Sequence, residues 1–325
     1  MLAFGVFTFN VEIKAQAPLF PNSVVSNDID FILETDPDVF ESLVFLGLAD
    51  KEMPSSISNE LFDEGTFVFE ARFSDGGSIE IWCHSSFLTQ ANAQEYADKL
   101  APRLGKQPSI HRNNIDHVVV HNGNAGAFAE IEGQFFVLYS ENMDARISTN
   151  DLEETVFHES VHAAYQFMFQ NDPAWINAQA LDPAFVTEYA EENPQLEDMA
   201  ESALFAYTFL QYPGRLDSDI EEWLITNNPN RIEFFRMIYG FPTTQNEELH
   251  NQRLLIHPNP TSGLVQLEGL NLKFQDRIEI LSPTGKLVKS IILGKGQTEL
   301  NLTSLLNGLY FISIPGYATS KIIKQ

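Results

Sequence analysis

The feature that most constrains the fold is His158-Glu159-Ser160-Val161-His162, which lies within a run of apolar residues. On an α-helix, His158 and His162 stand one turn apart on the same face, so both imidazoles can bind one Zn²⁺. Glu159 lies beside them and can take a proton from a water that the metal activates. The apolar flanks predict a largely buried helix, in which unpaired polar groups would cost free energy. A metal site is therefore predicted, and the alternative is a surface helix with two solvated histidines.

A catalytic zinc site uses three protein ligands and one open position. The residue six positions after the second histidine is Met168, which excludes a third histidine at that spacing. A later helical segment supplies the acidic residues Glu197, Asp198 and Glu201. Glu197 and Glu201 are one turn apart, so one can bind the metal while the other accepts a hydrogen bond from an imidazole. Asp198 is the alternative ligand, and a solvated acidic helix face is the alternative for the pair.

The pattern before this motif indicates a small mixed sheet with one helix, and the pattern around and after it indicates helices. Alternating apolar residues and an intervening Asp-Gly-Gly turn predict a hairpin. Asn150 is predicted to begin the motif helix, with Glu153 completing a capping box. The predicted strands are 66–73, 78–82, 117–121 and 134–139, and the predicted helices are 91–104, 151–170, 196–211, 220–226 and 231–239.

The C-terminal part of the chain follows a polar segment without clear periodicity, residues 242–252, which we interpret as a linker. Beyond it, short apolar segments alternate with turn residues, and this spacing predicts a small β-sandwich. The predicted strands are 264–266, 277–281, 287–292, 299–302 and 309–314.

Composition excludes several classes of protein. The net charge of −26 disfavours binding to nucleic acid and to anionic membranes, and no apolar stretch is long enough for a transmembrane helix. The single cysteine, Cys83, excludes an intrachain disulfide and is predicted to be a packed thiol. Residues 1–17 combine an apolar run with Ala15-Gln16-Ala17, which predicts a signal peptide whose basic start is missing; an ordinary first strand is the alternative.

The spacing of Glu197 and Glu201 after the histidine motif resembles the gluzincin arrangement of zinc peptidases. That resemblance implies that Glu197 binds zinc, that Glu201 supports His158 or His162, and that a tyrosine or a histidine stabilises the oxyanion. Tyr189 is the candidate, with a tyrosine packed under the site as the alternative. The segments that carry a wider resemblance to secreted zinc metallopeptidases are 152–159, 175–179, 185–190 and 193–197.

The last 70 or so residues resemble the C-terminal sorting domain of the type IX secretion system of the Bacteroidota. The resemblance rests on motifs that occur in the order typical of that domain, with His257 in place of the more usual tyrosine. It implies an Ig-like sandwich that the outer-membrane translocon recognises; a generic adhesive sandwich is the alternative. The motifs are His257-Pro258-Asn259-Pro260-Thr261-Ser262-Gly263, Leu306-Asn307-Gly308-Leu309-Tyr310-Phe311-Ile312 and Lys321-Ile322-Ile323-Lys324-Gln325.

These observations predict an α+β zincin-like peptidase domain, residues 18–241, followed by a small all-β Ig-like sandwich, residues 253–325. The expected function is an exported, monomeric metallopeptidase with Zn²⁺ as cofactor. It would hydrolyse peptide or protein substrates by a zinc-bound water, with Glu159 as general base. The exported protein itself would be secreted or attached to the cell surface. The alternatives are a non-catalytic zinc-containing surface protein that binds a ligand, and a zinc hydrolase of non-peptide amides.

Overall fold

A computed structural model describes residues 17–241, 255–270, 276–282, 287–293, 297–314 and 320–325. The chain divides into two compact units, Met1–Gly240 and Phe241–Gln325. Apart from Ala17, the predicted signal peptide lies outside the described residues, and so does the predicted linker.

The first unit is built on a six-stranded mixed sheet with the strand order β1-β2-β3-β4-β6-β5. The predicted hairpin is confirmed as β2 and β3, and β3, β4 and β6 are parallel to one another. The sequence did not predict β1, because three register shifts in its pairing with β2 break the two-residue alternation. The strands are β1 (Phe40–Glu52), β2 (Phe62–Phe73), β3 (Ser78–Cys83), β4 (His117–His121), β5 (Phe128–Glu130) and β6 (Phe135–Tyr139).

The helices of this unit follow the predicted order, with four additions. The expected helix from 151 to 170 forms as α4 and α5, joined by a π-helical segment, His162–Gln166. Four further helices, α2, α3, α6 and α7, were not predicted. The helices are α1 (Gln90–Lys106), α2 (Ser109–Arg112), α3 (Ser140–Ser148), α4 (Leu152–Val161), α5 (Phe167–Phe169), α6 (Pro173–Leu181), α7 (Glu188–Glu192), α8 (Asp198–Gln211), α9 (Ser218–Asn227) and α10 (Pro229–Ile238).

The predicted capping box at the start of α4 is wrong. Asn150 has a positive φ of 60°, and Asp151 is the N-cap without a side-chain capping bond. Glu153 does not fold back onto the cap; its carboxylate pairs with Lys106 Nζ at 3.1 Å and with Arg103 Nε at 3.1 Å, both on α1. Glu153 is buried, so attraction to two cations of another helix outweighs a local backbone bond. These ion pairs hold α1 against α4.

Helix α1 packs against one face of the sheet, and the side chains of β3 show which face this is. Cys83 points towards α1, where its Sγ donates to the backbone oxygen of Ala93 at 3.5 Å. Burial raises the pKa of this thiol, which is the packed structural thiol that the sequence predicted. Because neighbouring residues of a strand point to opposite faces, Trp82 lies on the face away from α1.

An N-terminal strap, residues 20–36, is held to the helices of the metal motif. Phe20 forms a β-bridge with Thr187, the N-cap of α7. Within the strap, the backbone N–H groups of Phe31 and Ile32 both donate to Glu154 Oε1 at 3.0 Å. Glu154 Oε2 is buried without a hydrogen-bond partner among the described residues. The strap is therefore fixed by a carboxyl group that lies one helical turn before His158.

The second unit is all β, with two antiparallel sheets that share one hydrophobic core. The sheet orders are β10-β9-β12-β13 and β11-β8-β7. The shared core draws on both sheets, including Leu267 and Leu300 from one and Ile280 and Ile322 from the other. The strands are β7 (Leu255–His257), β8 (Leu264–Glu268), β9 (Asp276–Leu281), β10 (Leu287–Leu293), β11 (Glu299–Asn301), β12 (Gly308–Ser313) and β13 (Ser320–Lys324).

The strap contact predicts a pH-dependent contribution to stability from Glu154. Burial raises the pKa of this carboxyl group from 4.5 to about 8. The folded protein therefore holds a proton that the unfolded chain releases, and Glu154 lowers stability as the pH rises from about 4.5 to about 8. We expect the free energy of unfolding of Glu154→Gln to rise relative to that of the wild type as the pH increases across this window, by at most about 1.4 kcal/mol per pH unit.

Urea unfolding at pH 5, 6.5 and 8 measures this difference in the free energy of unfolding. Glu64→Gln, at an exposed position of β2, is the control for loss of one negative charge. A Glu154→Gln effect that stays constant with pH would show that this carboxyl group does not titrate abnormally.

Candidate metal centre

The side chains of His158, His162 and Glu197 meet at one point in the first unit. The two Nε2 atoms are 3.1 Å apart, and Glu197 Oε2 lies 3.3 Å from His158 Nε2 and 3.4 Å from His162 Nε2. A tetrahedral zinc with bonds of about 2.0–2.1 Å would place its ligand atoms about 3.3–3.4 Å apart. The three atoms therefore have the mutual spacing that a zinc ion requires.

The packing of α4 against α8 creates this meeting point. His158 lies on α4, and His162 opens the π-helical segment that follows it. Glu197 is the N-cap residue of α8, so its carboxylate extends from the start of that helix towards the two histidines. Single π turns within α-helices occur frequently at functional sites.

Glu201 lies next to His158, on the side of the imidazole away from the cluster. The sequence predicted that Glu201 would support either His158 or His162, and the structure places it beside His158. Its Oε1 is 3.5 Å from His158 Nδ1, and the residue is fully buried. Three donors hold the carboxylate in place: Ser23 Oγ at 2.5 Å, the Val24 backbone N–H at 2.9 Å and Thr187 Oγ1 at 2.8 Å. Two of these belong to the N-terminal strap, so residues far away in the sequence fix the carboxylate that orients His158.

Gln166 supports the other imidazole, and the sequence did not identify it. His162 Nδ1 donates to Gln166 Oε1, and Gln166 Nε2 donates to the backbone oxygen of Leu196 at 2.8 Å. Nδ1 of His162 is thus hydrogen-bonded to an oxygen, and Nδ1 of His158 lies 3.5 Å from one, so both Nε2 atoms can turn a lone pair towards a shared metal ion. Two such lone pairs and a carboxylate oxygen at this separation would repel one another unless a proton or a metal cation lies between them.

The pKa values of the cluster point to the same need for positive charge. Burial alone would lower the pKa of His158, but the carboxylates of Glu197 and Glu201 raise it to about 9. Burial opposes ionisation of Glu197, yet the neighbouring imidazoles of His158 and His162 hold its pKa well below the usual range. Glu197 Oε2 is also buried without a hydrogen-bond partner among the described residues. A bound cation would satisfy it.

Glu159 is buried beside the cluster, in the position that the motif predicts. Burial raises its pKa, and the neighbouring His158 and His162 oppose that rise. The arrangement therefore places a carboxylate that can accept a proton next to the three potential metal ligands.

Tyr189 reaches the cluster from α7 and is partly exposed, at 38% of its surface. Burial and then the negative charge of Glu197, which accepts a hydrogen bond from the phenol, raise the pKa of Tyr189 to about 12. Its hydroxyl group therefore remains a hydrogen-bond donor at neutral pH. All the residues predicted for the site lie together: His158, Glu159, His162, Tyr189, Glu197 and Glu201.

The alternative ligand, Asp198, is excluded by its own contacts. Its carboxylate binds Arg231, with Nη2 at 2.7 Å from Oδ2 and Nε at 3.1 Å from Oδ1. Ser202 and Gln179 donate to the same carboxylate at 2.9 and 2.8 Å. Neighbouring residues of a helix point about 100° apart around its axis, so Asp198 faces a different part of the core from Glu197.

Comparison with known proteins informs the second unit. Residues 255–325 match the family model of the secretion system C-terminal sorting domain, in agreement with the sequence prediction. A search of curated proteins finds no match to the chain. Among the described residues, none of the helices combines the length and the apolar character needed to cross a membrane. The sorting domain indicates export by the type IX secretion machinery and attachment at the cell surface.

We predict that Gln166→Ala lowers zinc affinity about 10- to 100-fold, the usual effect of losing a group that orients a metal-bound histidine. Competition with a chromophoric chelator measures the affinity. Gln170→Ala is the matched control, because Gln170 lies one turn further along the helix and ends α5. Equal affinities for the two variants would show that Gln166 does not orient His162.

Proposed function

We propose that the first unit is a zinc-dependent metallopeptidase. The observation that carries the proposal is the convergence of His158 Nε2, His162 Nε2 and Glu197 Oε2 within 3.4 Å of one another, with Glu159 buried alongside. Two imidazoles and one carboxylate form the ligand set that several zinc peptidases use.

Each residue of the site has a distinct role in this proposal. His158, His162 and Glu197 would hold the zinc, which lowers the pKa of water and polarises a carbonyl group. Glu159 accepts the proton of the attacking water and returns it to the leaving amine. The Tyr189 hydroxyl donates a hydrogen bond to the oxygen on which negative charge develops. Glu201 and Gln166 orient the two imidazoles.

The edge of the sheet supports a peptide as the substrate. β5 is the edge strand, it runs antiparallel to β6, and it packs against the π-helical segment that begins with His162. An edge strand has unpaired backbone groups, which can bind an extended peptide as an additional strand. A peptide held there would lie close to the metal centre.

The sorting domain supports an extracellular place of action. Because export brings the chain outside the cell, we propose that the substrates are peptides or proteins met in the medium or at the cell surface. The acidic character of the chain, with a net charge of −26, favours solubility there.

Glu159→Gln should bind zinc with the stoichiometry of the wild type and lose turnover by a factor of about 100 or more, because the proton acceptor is lost while the ligands remain. Tyr189→Phe should reduce kcat with little change in KM, because its bond forms as the oxyanion develops. Metal analysis and hydrolysis of a mixed peptide library measure both variants.

Retained turnover in Glu159→Gln would refute the mechanism, and full activity of Tyr189→Phe would remove Tyr189 from it. If the wild type binds zinc stoichiometrically but cleaves no peptide, the protein is a zinc-containing binding protein. If the wild type hydrolyses only non-peptide amides, the protein is a zinc hydrolase of that substrate class instead of a peptidase.

Deletion of residues 255–325 should keep the protein inside the producing cell, because the translocon would no longer recognise it. Immunoblots of cell, surface and medium fractions from a host with type IX secretion measure this. A host that lacks the translocon should retain the full-length chain in the same way. Export of the deletion variant at the full-length level would contradict the sorting role.

A further inference from the structure

A cavity lies on the face of the sheet away from α1, and therefore away from α4, which the Glu153 ion pairs hold against α1. Its volume is about 530 Å³, and strands β1 to β6 contribute to its lining. The assignment to this face follows from Trp82, which lines the cavity, while the adjacent Cys83 contacts α1 on the other side. The cavity is thus separate from the candidate metal centre.

A row of stacked rings forms one wall of this cavity. The rings of Trp82 and His117 are nearly parallel, with centroids 3.5 Å apart, and those of His117 and Phe135 follow at 4.4 Å. Phe62 also lines the cavity, and 57% of its surface is exposed to solvent. Because His117 covers one face of Trp82, the flat apolar surfaces on which a planar group can stack are the Phe62 ring and the other face of the indole.

The polar part of the lining is mostly acidic. Asp50, Glu52 and Glu130 are exposed carboxylates, and Lys51 is the basic residue among them. Lys51 is already engaged, because its Nζ pairs with Glu80 at 3.3 Å and lies 3.9 Å from the centre of the Trp82 ring. The protein's own lysine therefore marks the indole face as a place where a cation is stable.

His117 gives independent evidence that a hydrogen-bond donor is missing. Its side chain is only 8% exposed, and Nδ1 lies 2.9 Å from Asp116 Oδ2. Since a carboxylate only accepts, Nδ1 carries the proton and Nε2 keeps a lone pair. Nε2 is buried without a hydrogen-bond partner among the described residues. An incoming group that donates hydrogen bonds would satisfy it.

We propose that this cavity binds the guanidinium group of an arginine side chain in a polypeptide ligand. A guanidinium group is planar, cationic and a donor only, so it can stack on Phe62, or on Trp82 in place of Lys51, donate to His117 and pair with the carboxylates. An ammonium group lacks the planar stacking surface. The proposal does not depend on zinc or on hydrolysis, because it concerns the opposite face of the sheet.

Isothermal titration of the full chain with acetyl-Gly-Arg-Gly-amide, at low ionic strength, tests this proposal. The same peptide with citrulline in place of arginine has nearly the same shape without the charge. We expect saturable binding of the arginine peptide and at least about tenfold weaker binding of the citrulline peptide. Equal binding of the two peptides, or binding of neither, would overturn the proposal.

Three variants test whether the arginine peptide binds in this cavity. Trp82→Leu should weaken binding about tenfold and Glu52→Gln about threefold, whereas Lys51→Ala should strengthen it about threefold by removing the internal competitor for the indole face. Glu222→Gln, at an exposed position of α9, is the charge-matched control for Glu52→Gln. Circular dichroism checks that Trp82→Leu is folded. Weaker binding by Lys51→Ala, or equal effects of the two Glu→Gln variants, would place the peptide elsewhere.

Discussion

The first unit depends on one constraint: two imidazole nitrogens and a carboxylate oxygen lie within 3.4 Å of one another in a buried place. Groups of this kind repel when each carries a lone pair, and burial removes the water that would separate them. A proton or a bound metal cation between these atoms would remove the repulsion. Gln166 accepts a hydrogen bond from Nδ1 of His162, and Glu201 lies 3.5 Å from Nδ1 of His158, so both Nε2 atoms face Glu197.

The surrounding structure restrains both helices that supply these atoms. Glu153 ties α4 to α1 through two ion pairs, and Asp198 ties the start of α8 to α10 through Arg231. Asp198 directly follows Glu197, so the same ion pair limits how far the Glu197 carboxylate can move. The strap adds two bonds to Glu201 from residues that come before the first strand. The chain thus uses buried charge pairs and a distant segment to fix one small cluster.

The sequence predicted those parts of the site that depend on local spacing. A four-residue separation on a helix places His158 and His162 together, and the same spacing relates Glu197 to Glu201. Spacing alone could not choose between Glu197 and Asp198, since that choice depends on Arg231, which lies 33 residues beyond Asp198. The sequence did not identify Gln166, because its role depends on the π-helical segment, and the spacing of apolar residues does not reveal such a segment. β1 was missed for a similar reason, because its register shifts hide the alternation of a strand.

Zinc binding at this cluster is tested most directly by the anomalous scattering of crystals grown with zinc, measured on both sides of the zinc absorption edge. We expect one strong peak bounded by His158 Nε2, His162 Nε2 and Glu197 Oε2, at about 2.0–2.2 Å from each. Loss of that peak in crystals of Glu197→Ala would agree with this ligand set. No peak at this position in zinc-saturated wild-type crystals, or a peak coordinated by other residues, would contradict it.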